Sequence, residues 1–127
     1  MKKLVQTQQA PAAMGPYSQA IAAGDFLFIS GQIPLDPGGT LVAGDIRAQT
    51  ERCLKNIKAI LKEARLDFSH VVKTTVYMTD LTQFPAMNEV YAGRFKEPFP
   101  ARAAVQVSAL PKGVSIEIEA LAVKSIK

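Results

Sequence analysis

The 127-residue chain predicts an α+β domain with a mostly antiparallel sheet. Three observations carry this expectation. Strand-like segments rich in β-branched or alternating apolar residues recur along the chain, and two other segments carry apolar residues at three- and four-residue steps. Glycine and proline clusters separate neighbouring strands closely enough for hairpins. The length suits one domain and no interior linker divides it, so residues 1–127 are read as a single domain.

Lys3 to Thr7 reads as a short edge strand, and residues 8–16, with two prolines and a glycine, as an extended loop. Ser18 to Ala23 and Phe26 to Ile33 form a strand pair about Gly24-Asp25, where glycine supplies the positive φ of a tight hairpin. A turn at Pro37-Gly38-Gly39 and a short strand around Leu41 come next. Asp45 is a suitable cap for a helix over 45–64, whose inner stripe is Ile46, Thr50, Cys53, Leu54, Ile57, Ile60, Leu61 and Ala64. Val71 to Met78 reads as a strand. A second helix runs from Pro85 to Phe95, with Met87, Val90, Tyr91 and Phe95 inward. ARAAVQV and VSIEIEALAV are the last strands, parted by a turn at Leu110-Pro111-Lys112-Gly113, which completes the order β-β-β-α-β-α-β-β.

Two helices cover only one face of such a sheet. Yet the strands at 26–33, 71–78 and 116–123 carry apolar or small residues on both faces: Phe26 and Phe28 alternate with Leu27 and Ile29. An exposed apolar surface of that size is costly, so an oligomer is expected.

The composition excludes several classes. Hydrophobic residues at 48% and charged residues at 20% are ordinary for a globular protein. The net charge of +4 is mild and its basic residues, Arg47 to Arg65 among them, are spread along a helix face, which argues against a nucleic-acid partner. Gln6, Gln8 and Gln9 interrupt any signal-like run after Lys2-Lys3, and no segment has the length of a membrane span; a cytoplasmic location is expected. The lone Cys53 has no disulfide partner within the chain and reads as a core residue. His70 is the only histidine, and its spacing from Cys53 matches no zinc pattern, so no metal is expected and His70 reads as structural. The glycines at 38, 39 and 44 precede no Gly-Lys-Ser/Thr, which leaves no phosphate loop. No Gly-x-Ser-x-Gly elbow accompanies the histidine, so a serine-hydrolase triad is also a poor reading.

The unusual residues are polar groups inside apolar strands. Glu117 and Glu119 share a face that continues with Leu121 and Val123. At least one carboxylate should therefore be partly buried, and then be paired, protonated or in use. Arg102, opening another strand, suits either a strand glutamate or the two-point grip of a ligand carboxylate.

These residues fall within a set of motifs: Gly15-Pro16-Tyr17-Ser18-Gln19-Ala20, Phe28-Ile29-Ser30-Gly31-Gln32, Asn56-Ile57, and Val72-Lys73-Thr74-Thr75-Val76-Tyr77. Met87-Asn88-x-x-Tyr91 then leads into Pro100-Ala101-Arg102, followed by Leu110-Pro111 and Ile116-Glu117-Ile118-Glu119-Ala120. In this order and spacing the chain resembles the Rid (reactive intermediate deaminase) family, also called YjgF or L-PSP, along nearly its whole length. The resemblance implies a chorismate-mutase-like fold with two helices on one face of the sheet. It also implies a homotrimer with sites between subunits. The implied reaction is hydrolysis of enamines or imines such as 2-aminoacrylate/2-iminopropanoate and 2-aminocrotonate/2-iminobutanoate to 2-keto acids and ammonia, with no cofactor. Arg102 maps onto the carboxylate clamp and Glu117 onto the catalytic glutamate, with Glu119 the nearby alternative. Tyr17, Ser30 and Gly31 map onto the pocket, and Asn88 onto its shape or the subunit contacts. Ala104 stands where several deaminating members carry cysteine, which removes a thiol and bears on pocket size. A regulatory small-carboxylate binder of the same superfamily is the main rival reading, and the ribonuclease or translation-inhibitor activity for which some relatives were named is a weaker one.

Overall fold

The computed structural model describes residues 1–124. Its principal elements are β1 (Lys2–Val5), β2 (Ala20–Ala23), β3 (Phe26–Gln32), α1 (Ile46–Glu63), β4 (Val71–Met78), α2 (Phe84–Ala92), β5 (Ala101–Gln106) and β6 (Ile116–Val123). The strands form one six-stranded sheet in the order β1-β2-β3-β6-β4-β5. All neighbours are antiparallel except β4 and β5, which run parallel because α2 carries the chain back between them. The mixed, mostly antiparallel α+β architecture and its element order are those the sequence predicts.

The core lies between this sheet and the helices. Asp45 caps α1 by accepting from the Ala48 amide at 3.1 Å, and the stripe from Ile46 to Leu61 is buried as its periodicity requires. Leu27 and Ile29 of β3, Val76 and Met78 of β4, and Ile116 and Ile118 of β6 meet the helices from below.

Boundaries differ from the sequence reading at several element ends. β2 begins at Ala20 rather than Ser18, opposite Ile29, where the regular register of β3 ends. The buried Gln19 amide accepts from the Thr7 amide at 2.8 Å and donates to the carbonyls of Thr7, Ala10 and Pro11, fastening the long loop to the sheet. The strand expected around Leu41 is a single bridge to Leu35. The second helix starts at Phe84, led in by a 3₁₀ turn over Leu81–Gln83 that Asp80 caps. It ends at Ala92, before Gly93; Phe95 still reaches the core by packing its ring on Tyr91 and Phe68.

Two features of the sheet bear directly on function. Between Ile29 and Gln32, β3 advances three residues while β6 advances two, so Ser30-Gly31 forms a bulge. The sheet face away from the helices is uncovered in the single chain, leaving Phe26 and Phe28 46% and 50% exposed. No helix among the described residues is long and apolar enough to cross a membrane.

Truncating Ile57, fully buried beneath the sheet, should lower stability by about 2–5 kcal/mol. The readout is the urea midpoint of Ile57→Ala at fixed protein concentration; Lys58→Ala, on the exposed side of α1, should stay within about 0.5 kcal/mol of the parent.

Candidate active site

Strand alternation decides which side chains meet. On β6, Ile116, Ile118 and Ala120 face the helices, which turns Glu117 and Glu119 onto the uncovered face. There Glu117 lies against the bulge. A Cβ built on Gly31 would stand 2.8 Å from the carboxyl carbon of Glu117 and closer still to one of its oxygens. Gly31 has no left-handed φ, so glycine is required here for space rather than for backbone conformation.

Around this contact opens a cavity of about 520 Å³ that brings Tyr17, Ser30, Gly31, Glu117 and Glu119 together, with Lys112 at its rim. Tyr17 enters from the loop that Gln19 fastens, and its hydroxyl accepts from the Met14 amide at 3.4 Å. The Ser30 hydroxyl donates to the Ser18 carbonyl at 2.5 Å, and the Ser30 amide donates to the Gln19 carbonyl at 2.9 Å. Ser30 thus offers a ligand only the acceptor lone pairs of its hydroxyl.

Burial disfavours the charged form of Glu117 and raises its pKa above the ordinary carboxylate value, and the negative charge of Glu119 raises it further. Among the described residues neither carboxylate has a cationic partner within salt-bridge distance. Glu119 instead accepts a hydrogen bond from the Tyr77 hydroxyl, which in turn holds the Tyr77 proton more tightly than usual. A salt bridge to Arg102, one of the readings open from sequence, is not what these carboxylates make.

Arg102 lies on the opposite face. In the β4–β5 register it stands beside Thr74, which is buried under the helices. Its guanidinium donates to the Asn88 side-chain oxygen at 2.7 Å and rests over the rings of Phe84 and Tyr91, 5.1 and 4.7 Å from their centroids. The Tyr91 hydroxyl is in turn hydrogen-bonded to Thr74 at 2.7 Å. One nitrogen of the fork is therefore held by Asn88 and the group is aligned by two aromatic faces, while the side chain itself stays exposed at the edge strand. Ala104 lies two residues further on and packs half-buried against the core. Asn88 is thus a direct partner of Arg102, a more specific role than shaping a cleft.

The site residues expected from sequence fall into two groups within one chain: Tyr17, Ser30, Gly31 and Glu117 line the cavity, whereas Arg102, Asn88 and Ala104 lie on the far side of the sheet. Phe84, Tyr91 and Tyr77 were not foreseen as site residues, although Tyr91 and Tyr77 fall within the family motifs. The i, i+4, i+7 spacing of Phe84, Asn88 and Tyr91 carries the signal for the first two. His70 accepts from the Asp67 amide at 3.1 Å within a 3₁₀ capping box. Cys53 is fully buried, and burial followed by the charge of Glu117 pushes its thiol pKa far up, as suits an inert core residue. Among the described residues no cluster of three or more His, Cys, Asp or Glu side chains is assembled that could hold a metal ion.

Comparison with known proteins extends this picture. The family model described as endoribonuclease L-PSP matches residues 7–124. A RutC family protein of Pyrococcus horikoshii is 58% identical over 98% of this chain and 99% of its own. The human 2-iminobutanoate/2-iminopropanoate deaminase is 50% identical over 98% of this chain and 91% of its own. The crystal structure of a putative endoribonuclease from Thermotoga maritima superposes with a TM-score of 0.96 at 50% identity, covering 99% of this chain and all of that one.

Gly31→Ala should leave the fold intact but force the Glu117 carboxylate out of its place, at a cost of about 1–3 kcal/mol. A crystal structure and an unfolding curve of the variant check this; an unmoved Glu117 would refute the requirement for space.

Proposed function

The chain belongs to the Rid family, also called L-PSP, and from that premise we propose that it hydrolyses reactive 2-imino and 2-enamino acids to 2-keto acids and ammonia. The observation that carries the reading is Glu117: a carboxylate with no cationic partner among the described residues, lining a cavity, its pKa raised by burial. Such a group exchanges protons nearer neutrality than a solvated carboxylate does. The human relative bears the name of this activity.

The proposed step is a hydration and then an elimination. The ionised Glu117 takes a proton from water as the water oxygen bonds to the imine carbon, and the C=N π pair moves to nitrogen, which receives that proton back from the Glu117 carboxyl. In the resulting carbinolamine the ionised Glu117 takes the hydroxyl proton and passes it to the amino nitrogen, the C–N bond breaks as the C=O bond forms, and ammonia leaves with the 2-keto acid. Glu117 ends as it began, and general acid–base help of this kind contributes about a hundred- to ten-thousand-fold. Arg102 grips the substrate carboxylate with the part of its fork that Asn88 leaves free. Tyr17 closes one wall of the pocket, and Ala104 bears on its size.

Arg102 and Glu117 occupy opposite faces of one sheet, so one site draws them from different copies. The uncovered face with Phe26 and Phe28 supplies the surface for that assembly, and a homotrimer places three such sites between subunits. A ribonuclease reading gains less support, because two carboxylates in the cavity repel a phosphodiester.

The decisive test generates 2-aminoacrylate in situ with a serine dehydratase and follows semicarbazide trapping and pyruvate release. Wild type should suppress trapping, and Arg102→Ala should lose about a hundredfold or more in kcat/KM. Glu117→Gln should impair turnover far more than carboxylate binding. Co-expressing these two inactive variants should restore up to about a quarter of the sites, since some interfaces in mixed trimers then pair an intact Arg102 with an intact Glu117. No effect of wild type on either signal would leave a carboxylate-binding role.

Because the ionised form of Glu117 acts as the base, activity should fall as pH drops through its pKa. That pKa is raised, so the acid limb of kcat/KM should lie above the ordinary carboxylate value of 4.5. A limb at or below that value would remove Glu117 from the role of base.

A further inference from the structure

Glu119 lines the same cavity as Glu117, two residues along the same strand face. Were it only a spare proton carrier, it would resemble Glu117 in its surroundings. It does not. One of its oxygens is held by the hydroxyl of Tyr77, which projects from β4. In the register of β4 and β6, Tyr77 lies opposite Glu117 and Thr75 opposite Glu119, so the phenol reaches diagonally past the first carboxylate to hold the second.

We infer that the Tyr77–Glu119 pair is a positioning device: it fixes a negative charge beside Glu117, and that charge keeps the Glu117 carboxyl a ready proton acceptor while the phenol holds Glu119 away from the substrate. The inference rests on the assignment of Glu117 as the acid–base group and gives its neighbour a separate task. Strand geometry puts the two glutamates roughly 7 Å apart along β6. Burial is the larger cause of the raised Glu117 pKa, and at that range the like charge of Glu119 adds to it in the same sense.

The other groups facing Glu117 do not supply this effect. Gly31, from β3, carries no charge, and Tyr17, from the loop, is neutral. Lys112, at the cavity rim, and Lys73, on β4 beside Glu119, are cations, which act in the opposite sense. Cys53, on α1 beneath the sheet, is held as the neutral thiol. Glu119 is thus the anion beside Glu117, and Tyr77 is the donor that holds it.

The test is Glu119→Gln, which deletes the charge but keeps an oxygen for Tyr77 to bond. In protein labelled with ¹³C-glutamate, the Glu117 carboxyl signal, assigned by its loss in Glu117→Gln, is followed against pH. The kcat/KM profile for keto-acid release is recorded in parallel. The Glu117 midpoint and the acid limb should both move measurably down in Glu119→Gln. A purely structural role would move neither. If wild type deaminates and the midpoint stays put, the device is refuted and the deaminase reading stands. If the midpoint falls but no form of the protein releases keto acid, the device stands and the deaminase reading fails. Should Glu119→Gln not fold, Tyr77→Phe examines the same pair. It keeps the charge but frees the carboxylate to swing toward the substrate's own carboxylate, so KM should rise several-fold; an unchanged KM overturns the proposal.

Discussion

Two helices cannot cover both faces of a six-stranded sheet, and the placement of every candidate site residue depends on which face they leave open. The helix-covered face is closed by the stripe of α1 and by Met87 and Tyr91 of α2. The other face retains Phe26 and Phe28 at its surface yet carries two carboxylates among its apolar residues. Strand alternation ties these facts together. The same parity that sends Ile116 and Ile118 into the core sends Glu117 and Glu119 outward, and the parallel pairing of β5 with β4 sends Arg102 the other way.

The two halves are built by different physics. Around Glu117 the design is subtractive. A bulge and a missing side chain at Gly31 make room for a carboxylate whose ionisation burial then resists. Around Arg102 it is additive. Two aromatic faces, an amide oxygen and a threonine-anchored phenol fix a cation at an otherwise exposed edge. A guanidinium stays charged in almost any surroundings and needs only alignment. A carboxylate's usefulness depends on how poorly it is solvated.

The fold was legible in the sequence because its signals are local. The α1 stripe, the Asp45 cap and the β-branched run of β4 each lie within a few residues. The failures are where a distant group decides: β2 is shorter than its sequence suggests because its partner β3 bulges after Ile29, and Leu41 finds only Leu35 to pair with. The site was legible in part. Family motifs single out Arg102, Glu117, Tyr17 and Ser30, but their division between two faces depends on the β4–β5 register, which spacing alone does not encode. The hold of Tyr77 on Glu119 crosses 42 positions of sequence and has no local signature.

The loop that carries Tyr17 hangs on one buried amide, that of Gln19, and Gln19 grips it through main-chain atoms of Thr7, Ala10 and Pro11. A grip on the backbone is indifferent to what the side chains are. Ala12 and Met14, which line the cavity, can therefore be exchanged by mutation without disturbing the core. The loop therefore behaves as a cassette: the wall of the cavity that it forms can change residue by residue while Glu117 and Glu119 stay fixed on β6.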